Sequence, residues 1–260
     1  MTIFLEIFHN IALVLVMSVV YSFLYRNFAV RSMKYQVLSG ILYGLIAVIG
    51  MTLPFHLMPG IIFDGRSIVL SIAGFFGGPV SAAVSAVIAG LFRIRIGGGG
   101  SIMGVSVIAS SALIGTAFFY LRKSFPAVTR IPYLLLFGIL VHVAMLALTA
   151  ALPGPVRFST FQSIAIPVIT IYPVATVIVC RLFLDQESQI ITLRNLHASE
   201  DRYRGIVENM PLLICRFLPS TGIITFANEQ YRSGFPSPRG ERTAFHLFDP
   251  GEENEAAREQ

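Results

Sequence analysis

Apolar runs of membrane-spanning length, broken by short polar punctuation, fill the chain as far as about residue 185, where the pattern changes abruptly. A helix needs about 20 mostly apolar residues to cross the hydrocarbon core of a bilayer. Five segments meet that requirement: 3–25, 36–58, 101–121, 131–152 and 160–183. A sixth, Ser67 to Phe92, carries Gly77-Gly78-Pro79 in its middle. There the proline removes a backbone donor and clashes with the preceding turn, so the helix is predicted to kink or break. Each half then has about 12 to 14 residues and a length of about 20 Å, too short to span alone but suited to a re-entrant hairpin. The pattern therefore predicts an all-α polytopic membrane bundle, of five spans plus a broken or re-entrant helix pair, or alternatively of six spans.

Composition agrees. With 55% hydrophobic and 13% charged residues, the chain lacks the polar surface a soluble domain requires. Met1 to Tyr25 has neither a basic leader nor a small-residue cleavage site, so it is expected to remain as the first span. The net charge of +5 comes from Lys and Arg flanking apolar runs, and no basic cluster interleaves with aromatics, which argues against nucleic acid as a partner. Cys180 and Cys215 have neither metal spacing nor the look of a disulfide, and are expected to be packing residues.

Charge also arbitrates topology, because cytoplasmic loops collect Lys and Arg. With six spans and the tail inside, Arg26, Arg31, Lys34, Arg93 and Arg95 would all face outward, against the rule. Five spans plus a hairpin put the N-terminus outside and Arg26 to Lys34, Arg122, Lys123, Arg130 and Arg181 inside. Arg66, Arg93 and Arg95 are then left on the outer side without a topological duty.

Those three arginines bracket the broken segment. Small residues recur through it at Gly74, Gly78, Ala82, Ala86 and Gly90, a spacing that serves close helix packing. Beyond Arg93 and Arg95, Gly97, Gly98, Gly99 and Gly100 open directly into the span that starts at Ser101. Glycines before a helix N-terminus expose N–H groups along the positive end of the dipole, and guanidinium forks beside them suit a small anion, above all a carboxylate. In a hairpin, Arg66 and Arg93 return to the same side and converge. The alternative on spacing alone is that the arginines reach for lipid phosphates and the glycines form a loop. Ser106, Ser110 and Ser111 are weaker candidate donors, since serine in a membrane helix often bonds its own backbone. His56 and His142 lack a second ligand at metal spacing and read as hydrogen-bonded packing residues, so no metal site is expected. Pro167 and Pro173 predict a kink in the last span.

The series Asp64-Gly65-Arg66-Ser67, Gly77-Gly78-Pro79 and Gly90-Leu91-Phe92-Arg93 with its following glycines resembles the five-transmembrane receptor domain of the LytS and YhcK type. Such domains stand at the front of bacterial sensor histidine kinases and diguanylate cyclases. The resemblance covers about residues 5 to 185 and implies a sensor of a small extracellular metabolite, with a carboxylate such as pyruvate as the expected ligand and Arg66 and Arg93 as its anchors. An asparagine often precedes the first arginine in that family, where this chain has Asp64 and Gly65.

After the last span, Leu184, Ile190, Ile191, Leu193 and Leu196 are spaced for a short amphipathic helix able to pair in a dimer. Leu212 to Leu218 and Gly222 to Ala227 read as two strands joined by Pro219-Ser220-Thr221-Gly222, and Asn228 reads as the N-cap of a following helix. This stretch is similar to the opening of a PAS domain, a partial α+β module whose closing strands do not appear before Gln260. Residues 230 to 260 are accordingly expected to be poorly ordered or stabilised by a partner. The expected organisation is a membrane sensor domain (1–184), a signalling-helix linker (185–200) and a truncated PAS domain (201–260), with no cofactor.

The resulting expectation is the input half of a homodimeric sensor in the bacterial inner membrane, with its C-terminus in the cytoplasm. It would feed a downstream output domain or response regulator, and these residues carry no catalytic signature. A small-molecule transporter is the chief rival, because broken helices near arginines also occur there. No internal repeat supports it. A membrane enzyme ranks last, for want of paired carboxylates or a nucleophile and base.

Overall fold

The structure is a computed structural model and describes residues 2–28, 32–52, 55–58, 61–152, 154–220 and 223–235; for 2–11, 14, 55–58, 61–63, 155 and 156 only the backbone is described. It divides into two compact units, Met1–Ile190 and Ile191–Gln260, and the division falls inside one long helix.

The first unit is helical: α1 (Thr2–Asn27), α2 (Met33–Thr52), α3 (Arg66–Gly77), α4 (Pro79–Ile96), α5 (Ser101–Ser124), α6 (Ile131–Ala147) and α7 (Gly154–Asn209). Between α2 and α3 lies a short antiparallel hairpin, β1 (Phe55–Met58) and β2 (Ile61–Phe63). The run 36–58, expected to be one helix, therefore ends at Thr52, and its last residues form a strand. Apolar character alone does not separate a helix end from a strand of that length. Among the described residues, five helices are long and apolar enough to cross a membrane: α2, α4, α5, α6 with its trailing 3-10 turn, and the apolar part of α7. Large aliphatic side chains such as Leu45, Leu91, Ile102, Leu113, Leu140, Ile166 and Ile178 face outward. The interior holds aromatic and small residues, including Tyr21, Tyr43, Phe75, Phe137 and Phe183. That is the distribution of a bundle solvated by lipid.

The break falls where the sequence places it, but its halves are unequal, 12 residues in α3 and 18 in α4. Gly78 has φ +90°, a conformation that favours glycine, and Pro79 opens α4 where its missing N–H costs nothing. The next donor, the Val80 N–H, is taken by the Gln36 side-chain oxygen of α2 at 3.2 Å.

Contacts along α5 show which way the two halves run. A Cβ on Gly115 would lie 2.1 Å from the Ser71 carbonyl oxygen, Phe75 meets Phe118, and Phe76 lies under Arg122, so α3 runs parallel to α5. Gly78 abuts Phe119 while Gly104 abuts Arg93, so α4 runs antiparallel to it. The chain folds back on itself at Gly77-Gly78, forming a hairpin of helices. Small residues do not line one continuous seam through it. Gly74 packs on α5, whereas a Cβ on Gly90 would touch nothing within 4 Å.

Pro167 and Pro173 lie within α7, which continues through both. Gly138 of α6 makes room for the second, since a Cβ there would sit 2.9 Å from Pro173 Cα. Cys180 is a buried free thiol and Cys215 a half-buried one.

The second unit contains the end of α7, the antiparallel pair β3 (Cys215–Phe217) and β4 (Ile224–Ala227), and α8 (Glu229–Gly234). Helix α7 runs on to Asn209 without interruption, across the expected boundaries at 184 and 200. Asn228 is fully buried and organises this unit. Its side-chain oxygen accepts from the backbone N–H of Tyr231 at 3.1 Å, which caps α8, and of Ile214 at 3.0 Å. Its amide donates to the carbonyls of Leu212 (2.7 Å) and Val207 (3.1 Å). The expectation of poor order from residue 230 onward falls, beyond Phe235, outside the described residues. Replacing Asn228 by Ala strands the buried Tyr231 N–H and several part-buried backbone groups, at a cost on the order of 3 kcal/mol. Hydrogen exchange at 207–231 should accelerate accordingly, with the exchange of α2 to α6 unchanged.

Candidate functional site

The fold-back brings the two ends of the helical hairpin together. Arg66 is the first residue of α3 and Arg93 sits in the last turn of α4. In a continuous helix, 27 residues would separate them by about 40 Å. Here Arg93 lies within electrostatic reach of both Arg66 and Asp64. Both arginines are buried, Arg66 at 7% and Arg93 at 1% exposure.

Each is held by its own surroundings. Asp64 Oδ1 accepts the Arg66 backbone N–H at 2.9 Å, at the first residue of α3, and Oδ2 faces Arg66 Nη1 at 3.5 Å. Arg93 Nη1 donates to the Gly97 carbonyl at 2.7 Å. Its Nε lies over the first turns of α5, where a Cβ on Gly104 would come within 2.6 Å. Among the described residues, neither Arg93 Nε nor Arg66 Nη1 has a hydrogen-bond acceptor. Two guanidinium groups thus face one carboxylate, a buried excess of one positive charge with N–H donors to spare. Burial pushes the Asp64 carboxyl above its ordinary value, with the Arg66 guanidinium, the Arg66 N–H and Arg93 pulling the other way.

The glycine run is used in parts. Gly97 and Gly98 have φ +72° and +89°, and Gly100 is the buried N-cap of α5. Gly98 accepts the Ser101 hydroxyl at 2.9 Å, and Gly99 is exposed. Arg95 is exposed, on a different face of α4 from buried Arg93. Ser106 is half-buried on α5, and Ser110 bonds its own helix through the Val107 carbonyl. Ser111 is buried, and its hydroxyl makes no hydrogen bond among the described residues. The cluster is therefore Arg66, Arg93 and Asp64 at the Gly100 end of α5, without Arg95.

Sequence reasoning gave His142 as a hydrogen-bonded packing residue but did not identify its partners. Ser67 Oγ meets His142 Nε2 at 3.3 Å, and His142 Nδ1–H donates to the Gly138 carbonyl at 2.7 Å. With that assignment the Ser67 hydroxyl donates to the imidazole. The ring packs edge-on to Tyr172 at 5.2 Å, and Tyr172 feels the charges of Asp64 and Arg66. A histidine inside an apolar run gives no hint of such partners. His56 lies in β1, and its side chain is outside the described residues. Beside Gly65 and Tyr172 is a cavity of about 210 Å³, otherwise walled by apolar side chains such as Met17, Val69 and Val179. No metal-binding group of His, Cys, Asp or Glu occurs among the described residues.

A multi-span helical bundle with charged groups gathered at one end of a fold-back hairpin has the build of a multi-pass membrane domain. Residues 18–186 match the family described as the 5TMR of 5TMR-LYT, and the chain belongs to that five-transmembrane receptor family, a membrane input domain of sensor kinases. Comparison with curated proteins and with solved structures found no match.

A buried, incompletely paired guanidinium is costly to the fold, and an apolar side chain of similar length removes that cost. Arg93→Met should therefore raise thermal stability, by on the order of 1 kcal/mol in detergent. A fall in melting temperature would mean that the Gly97 bond outweighs the burial penalty.

Proposed function

We propose that the first unit senses a small anionic metabolite, a carboxylate such as pyruvate, bound between Arg66 and Arg93 beside the Gly97–Gly100 turn. The observation behind this reading is the buried excess of positive charge. Two guanidinium groups stand near a single carboxylate, and the unused Arg93 Nε lies over Gly104 in the first turns of α5. A ligand carboxylate supplies the missing charge and takes two parallel hydrogen bonds from a guanidinium fork. The order of the arginine and glycine elements in the family supports the same assignment.

Orientation follows from charge. Arg26, Lys34, Arg122, Lys123, Arg130 and Arg181 gather at the end of the bundle opposite Arg66 and Arg93. The positive-inside rule makes that end cytoplasmic in a bacterial inner membrane, which opens the anion site to the outside. Helix α7 leads from the cytoplasmic end to the second unit. We read that unit as the opening of a PAS module, on the strength of its strand pair and the Asn228 cap. Homodimers would then pass the signal to a histidine kinase or diguanylate cyclase output domain.

Calorimetric titration of the purified protein with pyruvate and related small carboxylates tests the site. Saturable binding is expected in the wild type, with at least about tenfold loss in Arg66→Ala and in Arg93→Ala. Binding indifferent to both substitutions overturns the assignment.

Asp64 adds a pH dependence. When ionised, its carboxylate competes with the ligand for Arg66. Because burial raises its pKa, it takes up a proton at a higher pH than an exposed aspartate does, while the ligand carboxylate is still ionised. Affinity should rise as pH falls below neutrality, and Asp64→Asn should bind more tightly at pH 7 and flatten the profile.

A further inference from the structure

A second polar cluster lies far from the anion site, at the other end of α5. Glu187 of α7 is buried, and its carboxylate takes both terminal nitrogens of Arg122, Nη1 at 3.2 Å and Nη2 in a shorter bond, as well as the Tyr21 hydroxyl of α1. The neighbouring Gln186 donates to Ser18 of α1. The Arg122 guanidinium lies over the rings of Phe76 and Phe75, 5.6 and 6.0 Å from their centroids, and these are the last residues of α3 before the fold-back. Phe76 in turn packs against Tyr21 of α1 and Phe183 of α7, whose rings stack on each other at 4.3 Å. Four helices thus meet at one ion pair, three residues before the first unit ends at Ile190.

A buried ion pair is a poor stabiliser, because desolvation consumes most of its Coulomb gain, and its best-attested use is to fix one register against others. We propose that Tyr21, Arg122 and Glu187 form a latch that couples the position of α3 to the register of α7. Helix α3 is the connecting piece: a rigid rod of 12 residues with Arg66 at one end and Phe75-Phe76 at the other. The latch holds α7 in one register against α1 and α5 while α3 stays in place. A shift of α3 moves the aromatic floor beneath Arg122, weakens its grip on Glu187 and frees α7 to adopt a second register. The latch rests on the proposed anion site only for what displaces α3; the coupling itself is independent of any ligand.

The test uses the full chain in lipid nanodiscs, following hydrogen exchange of the amides at 184–195. Without ligand, Glu187→Gln and Phe76→Leu should each accelerate exchange by about tenfold, and the double variant should be no faster than the faster single one. Tyr21→Phe, which removes one hydrogen bond and keeps the ring stack, should give a smaller acceleration in a fold that is otherwise intact. Unchanged exchange in Glu187→Gln, or effects that multiply in the double variant, overturns the latch. With saturating pyruvate, the latch variants should bind more tightly than the wild type by calorimetry, because the ligand no longer works against the latch, and should lose the ligand-induced change at 184–195; retention of that change also overturns it. If pyruvate fails to bind the wild type, the anion site falls, while the ligand-free comparison still decides the latch.

Discussion

The backbone turn at Gly77-Gly78-Pro79 is the constraint on which the rest of the first unit depends. Without it, α3 and α4 would form a single helix with Arg66 and Arg93 at opposite ends. The turn needs three things at once: a residue that tolerates φ +90°, a residue that starts a helix without an N–H, and an acceptor for the next donor. The first two come from adjacent positions in the chain. The third, Gln36, comes from a different helix, so the fold-back is complete only when α2 has packed. Gly40 and Gly44 allow that packing, since a Cβ at either would lie within about 3 Å of α4.

The interior of this bundle holds more charge than lipid solvation favours, and the charge is not scattered. It falls into two clusters at opposite ends of α5. The one near Gly104 is unbalanced, with two cations against one carboxylate. The one near Arg122 is balanced, its carboxylate served by a guanidinium fork and a phenol. The physical difference matters, because an unbalanced buried cluster gains from an anion, whereas a balanced one gains from staying closed.

Much of the architecture was legible in the sequence because local rules govern it. The spans follow from hydropathy, the fold-back from Gly77-Gly78-Pro79, and the α8 cap from Asn228. The convergence of Arg66 and Arg93 followed from the hairpin, whereas Asp64 entered the sequence reading only as a departure from the family's asparagine. What stayed hidden was set by partners distant in the chain. Pro54, two residues beyond Thr52, is a stop signal that hydropathy alone passes over, and nothing local announces that 55–58 form a strand. The polar stretch after Leu184 looks like a separate short element, although the backbone ladder of α7 continues through it. Glu187 is 65 positions from Arg122 and 166 from Tyr21, so no spacing could have joined them. Arg95, grouped with the site by adjacency, is carried to another face by the helical repeat of α4.

Gly104, Ile108, Ser111, Gly115 and Phe118 form one buried stripe along α5, which ends at half-buried Arg122. Near its middle, where Gly115 meets Ser71, backbone lies directly on backbone, with no side chain between. Rotamer changes absorb small displacements where side chains intervene; here there are none to yield. The seam between α3 and α5 is consequently stiff, and the two helices behave as a single beam over the length of α3, about 18 Å. A beam of that kind tilts as a whole, so a movement too small to unpack anything at one end of α3 is delivered nearly undiminished to the other.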